Sequence, residues 1–107
     1  MNTQFKKGIV EMCILAVIND KDMYGFEVID TLSKHIDVNE NTVYPILRRL
    51  TSQGFFETYV ETTNIGAPRK YYRMTSLGVN KFMEYETEWR SFLSGVFNIL
   101  GGNRHEK

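Results

Sequence analysis

Between Phe5 and Asn19 apolar residues stand almost everywhere: Ile9, Val10, Met12, Cys13, Ile14, Leu15, Val17 and Ile18. Only Glu11 and the Lys6/Lys7 end interrupt them. A helix that is apolar nearly all round must be covered on both sides. That places this segment between the domain core and something further, such as a partner subunit. A polar connection from Asn19 to Asp22 follows, and Tyr24-Gly25 then opens a second helix. In it Phe26, Ile29, Leu32 and Ser33 fall at helical spacing, and it ends before the polar turn Asp37 to Glu40.

The next stretch has the clearest period. Val43, Ile46, Leu47 and Leu50 recur at i, i+3, i+4 and i+7, one buried stripe of a third helix. Asn39 and Asn41 are both good N-caps. Pro45 favours Asn41, because proline is cheap only in a helix's first turn. Gly54 is expected to stop the helix as its C′ residue. The face opposite the stripe carries Thr42, Tyr44, Pro45, Arg48, Arg49 and Ser52.

Phe55 to Thr63 is aromatic, β-branched and alternating, so it reads as a strand, with Lys70 to Thr75 as its partner. The turn between them, Asn64-Ile65-Gly66-Ala67-Pro68-Arg69, holds glycine and proline and is expected to place an arginine at its tip. From Ser76 to about Leu100 one long helix is expected, stopped by Gly101-Gly102. Along it Phe82, Tyr85, Trp89, Phe92, Val96 and Ile99 alternate by threes and fours as a heptad seam, widened by Leu93, Phe97 and Leu100. Water cannot satisfy such a seam. A second copy of this helix, or another subunit's first helix, is its expected cover. The order helix, helix, helix, strand, turn, strand is a winged helix-turn-helix. The fold is therefore mainly α with a small β-hairpin: residues 1–75 as the winged unit, 76–101 as a C-terminal dimerisation helix and 102–107 as a flexible tail.

The 107 residues carry 13 basic and 13 acidic side chains, so the net charge is zero. Its distribution changes the picture. Asp20 to Glu40 has six acids against Lys21 and Lys34, whereas Asn41 to Arg73 has Arg48, Arg49, Arg69, Lys70 and Arg73 against Glu57 and Glu61. A locally basic segment neutralises phosphates without a uniformly basic surface. The longest apolar run, Met12 to Ile18, falls far short of the about 20 residues a bilayer needs, and a cytoplasmic, non-membrane protein is expected. The lone Cys13 forms no internal disulfide and reads as a buried structural thiol. His35 and His105 have no ligand cluster around them, so neither metal nor cofactor is expected. No nucleophile with a partnered histidine, paired carboxylates or phosphate loop points to catalysis.

A duplex major groove accepts one α-helix, whose N-terminal turns reach base edges. Asn41, Thr42 and Tyr44 are hydrogen-bonding groups in that position, and Arg48, one turn on, reaches phosphate or guanine. Arg69 and Lys70 beside Gly66 and Pro68 form a cationic finger suited to phosphate or a minor groove. Double-stranded DNA is the expected partner.

Asn41-Thr-Val-Tyr-Pro-Ile-Leu-Arg-Arg-Leu with Gly54, and Gly66-Ala-Pro-Arg-Lys-Tyr-Tyr-Arg-Met-Thr75 with Gly78, closely resemble the PadR family of transcriptional regulators. Tyr24-Gly25 matches the start of that family's second helix. The resemblance implies a homodimer, usually a repressor, that binds a palindromic operator and is released by a small ligand. It places Tyr44 and Pro45 in the recognition helix and Arg69 and Lys70 in the wing. The single C-terminal helix is similar to the family's compact branch, in some of whose multidrug-sensing members a tryptophan of that helix lines a flat pore between subunits. Trp89 matches that position, which implies a small aromatic or cationic ligand there; ordinary packing of a dimer core is the other reading of Trp89. Ala67 departs from the wing's frequent basic or polar residue. The expected DNA-facing set is Asn41, Thr42, Tyr44, Pro45, Arg48, Arg49, Arg69 and Lys70. The expected ligand or dimer set is Ile9, Cys13, Phe82, Tyr85, Trp89, Phe92, Leu93 and Val96. A winged helix used only for protein interaction is the alternative; it expects an apolar or acidic outer face on the third helix.

Overall fold

A computed structural model describes residues 3–63 and 65–101, with side-chain surroundings from residue 7 onward. The elements are α1 (Thr3–Asp20), β1 (Met23–Tyr24), α2 (Gly25–Ser33), α3 (Glu40–Ser52), β2 (Phe56–Glu61), β3 (Arg69–Met74) and α4 (Ser76–Ile99). Asn64 of the expected turn and the expected tail 102–107 lie outside the described residues.

The core gathers where the apolar patterns converge. Val10, Ile14, Leu15 and Ile18 of α1 meet Val28 and Leu32 of α2, and Val43, Ile46, Leu47 and Leu50 of α3; all are buried, together with Phe56 and Tyr72 of the sheet. The i, i+3, i+4, i+7 stripe of α3 is therefore the face that packs on α1. At about 25 cal/mol for each Å² removed from water, each such side chain stabilises the fold by roughly 1.5–3 kcal/mol. Helix α2 turns differently from the expected stripe: Gly25, Val28 and Leu32 point inward, while Phe26 is 64% exposed. Phe26 and Val28 differ by two residues, about 200° of helix, so one inward face cannot hold both.

The sheet has three strands, not the expected two, in the order β1-β3-β2, all antiparallel. Strand β1 is only Met23–Tyr24, paired with Tyr72 and Tyr71. Two residues show no alternation, so the pattern of the sequence does not reveal them. On β2 and β3 the register sets Glu57 opposite Arg73, Tyr59 opposite Tyr71 and Glu61 opposite Arg69. These cross-strand pairs share one face, leaving Phe56 and Tyr72 for the core.

Helix α3 starts earlier than Pro45 suggests. Asn39, extended at φ −140°, is the N-cap; its carbonyl accepts from the backbone N–H of Thr42 and Val43, each at 3.1 Å. Pro45 thus lies in the second turn, where its ring removes the donor that would close on the carbonyl of Asn41. Asn41 and Pro45 are both exposed, so the missing bond lies at the surface and not in the core. Gly54 ends the helix as expected, at φ +86°. The N–H of Gly54 bonds the carbonyl of Thr51 and that of Phe55 bonds Leu50, both at 3.0 Å, the Schellman pattern.

That stop is fastened to α4. The Thr75 hydroxyl donates to the Gly54 carbonyl at 2.6 Å and accepts from the Gly78 N–H at 3.0 Å as the α4 N-cap. The Thr75 N–H bonds the Phe55 carbonyl at 3.1 Å. Gly78 is buried against the same backbone, and a Cβ there would stand 2.1 Å from the Phe55 oxygen. Helix α4 then runs 24 residues, about 36 Å at 1.5 Å per residue, past the end of the core. Its expected seam divides: Phe82 and Tyr85 pack on their own core, whereas Phe92, Phe97, Ile99 and Leu100 are exposed. Gly78→Ala is expected to destabilise the fold by about 1–3 kcal/mol, the cost of overpacking. A denaturant midpoint unchanged from the wild type would contradict this account of the α3–α4 junction.

Candidate nucleic-acid interface

Helix α3 presents Asn41, Pro45, Arg48 and Arg49 to solvent, with Thr42 and Tyr44 half-buried beside them. Across from it stands the wing, whose tip is formed by Ile65 to Pro68. Ile65 is 97% exposed. Arg69 is not at the tip: it is the first residue of β3, and its guanidinium lies 4.6 Å from the centre of the Tyr24 ring. Lys70 follows, its ammonium 5.6 Å from the centre of the Tyr72 ring. An exposed cation on such a ring gains about 0.5–1 kcal/mol, enough to bias its position while leaving its outer side open.

Between helix and wing runs a groove of roughly 260 Å³. Tyr24, Gly25, Phe26 and Tyr44 line one side, and Pro68, Arg69, Lys70 and Tyr72 the other. The structure thus brings Tyr44, Arg69 and Lys70 to one cleft, with Arg48 close enough to Tyr72 to act on its phenol. Burial raises the Tyr72 pKa above that of an ordinary tyrosine, and Arg48 pulls the other way. Tyr44 has a second task. A Cβ on Gly25 would lie 2.5 Å from its ring, so the glycine makes room for Tyr44 to brace the start of α2. Packing on Gly25 holds the Tyr44 ring in place at the edge of the groove.

Arg49 differs from its neighbour. Its guanidinium donates to the Glu11 carboxylate of α1 and, at 3.2 Å, to the Gln53 side chain. Glu11 is 7% exposed, and its other oxygen accepts from the Tyr85 hydroxyl of α4. Burial first, then this bond, pushes the Tyr85 pKa up to about 12, so the hydroxyl keeps its proton. Arg49, expected to face DNA, is thus tied to Glu11 while its side chain stays 47% exposed, and Arg48 beside it is exposed as well. The sequence pattern marks Glu11 as an interruption of an apolar run but does not reveal its partners, although an acid in such a run signals a charge that must find one.

A second constellation covers the wing's outer face. The Tyr59 hydroxyl donates to Asp22 at 2.7 Å and Arg73 Nε donates to the same oxygen at 3.2 Å. Arg73 also sits 4.6 Å over the Tyr59 ring, which stacks on Tyr71. Arg73 is therefore committed to the sheet and leaves Arg69 and Lys70 as the wing's outward cations.

The expected ligand or dimer residues fall into two places. Cys13, Phe82, Trp89 and Leu93 line a groove of roughly 230 Å³ between α1 and α4, with Met12, Ala16, Glu86 and Arg90. Trp89 and Phe92, with Glu88, line an adjoining open hollow, their rings edge to face at 6.2 Å. Ile9, Leu93 and Val96 are half-buried. Cys13 is half-buried and burial raises its pKa, which suits a structural thiol.

A model of the transcriptional regulator PadR-like family matches residues 14–84. That span holds the reader helix, the whole wing and the start of α4. The chain belongs to the PadR family. A PadR-like transcriptional regulator from Bacillus cereus is similar at 33% identity and TM-score 0.82, over 92% of this chain and 97% of that one. A PadR family regulator from Eggerthella lenta is similar at 33% identity and TM-score 0.79, over 94% and 88%. An uncharacterised protein of Lysinibacillus sphaericus is 34% identical over 87 residues, 78% of this chain and 80% of that protein. This PadR-family member therefore has the winged-helix DNA-binding fold of a transcriptional regulator. Among the described residues no helix is long and apolar enough to cross a membrane.

Proposed function

We propose that this PadR-family chain is a homodimeric repressor that binds a palindromic operator and is released by a small ligand between its subunits. The observation that carries the DNA reading is the shared cleft, with Tyr44 on one wall and Arg69 and Lys70 on the other; the exposed Arg48 stands one turn beyond Tyr44 on α3. With α3 seated in a major groove, Asn41, Thr42 and Pro45 face base edges while the wing cations take the flanking phosphates. The basic outer face of α3 favours DNA over a partner protein.

The distal part of α4 supports the dimer. Phe92, Phe97, Ile99 and Leu100 project from the domain with no cover of their own, and large apolar side chains in that setting mark an association surface. Two copies packed there present two reader helices about 34 Å apart, one turn of duplex. The groove beside Trp89 supports the ligand. Apolar walls, with Glu88 at one edge and a paired Glu86 and Arg90 at the other, suit a flat aromatic ligand. A ligand that binds one inter-subunit arrangement better than another shifts the spacing of the readers by that difference in affinity.

Duplex DNA from the protein's own promoter region tests the first part. Wild-type affinity is expected to fall steeply with salt. In Arg48→Ala/Arg69→Ala binding weakens, and each lost phosphate contact reduces the slope by about 0.9. Equal binding and equal slope in the double variant overturn the DNA reading. Titrating a panel of aromatic cations tests the second part through Trp89 fluorescence. Saturable quenching that also weakens DNA binding is expected; a panel without effect on either signal contradicts ligand release.

A further inference from the structure

Glu11 is a buried carboxylate that joins three elements. It lies on α1, accepts from Arg49 of the reader helix α3 with one oxygen, and accepts from Tyr85 of α4 with the other. Arg49 follows directly on Arg48, and Tyr85 stands one turn before Trp89. On α1 the next two residues, Met12 and Cys13, line the same groove as Trp89. The Arg49–Glu11–Tyr85 set therefore spans the distance between the groove and the DNA-facing helix through three side chains in direct contact.

We infer that Glu11 is a positioning residue for DNA recognition: it fixes the angle of the reader helix to α4, and so the spacing of the two readers. The inference deepens the proposed function and rests on its DNA reading. Two fastenings define an angle where one leaves a hinge. The first is the Gly54–Thr75–Gly78 junction, where the end of α3 meets the start of α4. The second is Glu11, which ties the last turn of α3 to α4 ten residues beyond that junction. A buried carboxylate is suited to this because its position is steeply constrained: each oxygen left without a donor loses far more than an exposed one does. Lys81 reinforces the α4 end, its ammonium 4.7 Å over the Tyr85 ring. A shift of α4 against α1 at the groove must either break the Tyr85 bond or drag Glu11, and with it Arg49 and the reader helix.

The test separates positioning from mere stability. A half-site is first selected by the wild-type protein from random-sequence duplexes. Wild type, Glu11→Gln and Tyr85→Phe are then compared on a single half-site and on paired half-sites at the preferred spacing or displaced by one or two base pairs. Tyr85→Phe removes only a hydroxyl and serves if Glu11→Gln folds poorly. In the variants, single half-site affinity is expected to stay within about threefold of wild type. Discrimination between spacings is expected to fall about tenfold, the factor that one hydrogen bond to a charged group commands. Variants that discriminate spacings as the wild type does overturn the inference. So do variants that lose affinity for every duplex in equal measure, which is the mark of a structural role alone. A wild-type protein that selects no sequence overturns the DNA reading itself, and this inference falls with it.

Discussion

Everything in this chain is arranged around the need to cover α1. Apolar side chains leave that helix in nearly every direction, and in water each costs free energy in proportion to its exposed area. One side is covered by the stripe of α3, by α2 and by the sheet; another is covered by Phe82 and Tyr85 of α4. The reader helix is thus a consequence of the core. Its inward face must be Val43, Ile46, Leu47 and Leu50, and so its outward face carries Asn41, Pro45 and Arg48. Because α1 contacts both α3 and α4, the helix proposed to face DNA and the helix that extends away from it share one buried support. The buried acid of that support, Glu11, is tolerated because donors from both neighbours reach it.

The wing is built by a different economy. It has little core of its own: of β2 and β3 only Phe56 and Tyr72 are buried, and the other residues of these two strands are half-buried or exposed. Cross-strand pairing holds it instead. Opposed Glu57 and Arg73, stacked Tyr59 and Tyr71, and opposed Glu61 and Arg69 set a register that a one-residue slip would reverse. Strand β1 closes the sheet next to α2, and Tyr24 there holds Arg69 by its ring. That contact couples wing to reader domain, since Tyr24 is also the N-cap of α2 and a neighbour of Tyr44 across Gly25.

Long-period features were legible in the sequence and short or paired ones were not. The α3 stripe, the Gly54 stop, the two hairpin strands and the 24-residue α4 rest on repeats or on backbone rules that no neighbour can override. Strand β1 is too short to have a period. The inward face of α2 was misread because nine residues give only two turns, so Phe26 and Val28 fit the pattern about equally well. At the α3 start, Pro45 pointed to Asn41, but solvent at Asn41 lowers the cost of the missing bond and Asn39 caps instead. For the site, residue type and spacing pointed to Tyr44, Arg69 and Lys70, which share one cleft, and to Arg48, which is exposed on the same helix as Tyr44. They do not reveal that Arg49 pairs with Glu11, because that carboxylate lies 38 residues away in the chain.

On the proposed function, each protomer offers reader helix and wing to the duplex as one braced unit, in two copies. Hydroxyl-radical footprinting on a selected duplex tests it most directly. Two protected patches centred one helical turn apart are predicted, each pairing the backbone that borders a major groove with an adjoining minor-groove edge beneath the wing. A single patch, or two patches in which replacement of Arg69 and Lys70 leaves the minor-groove protection intact, would contradict it.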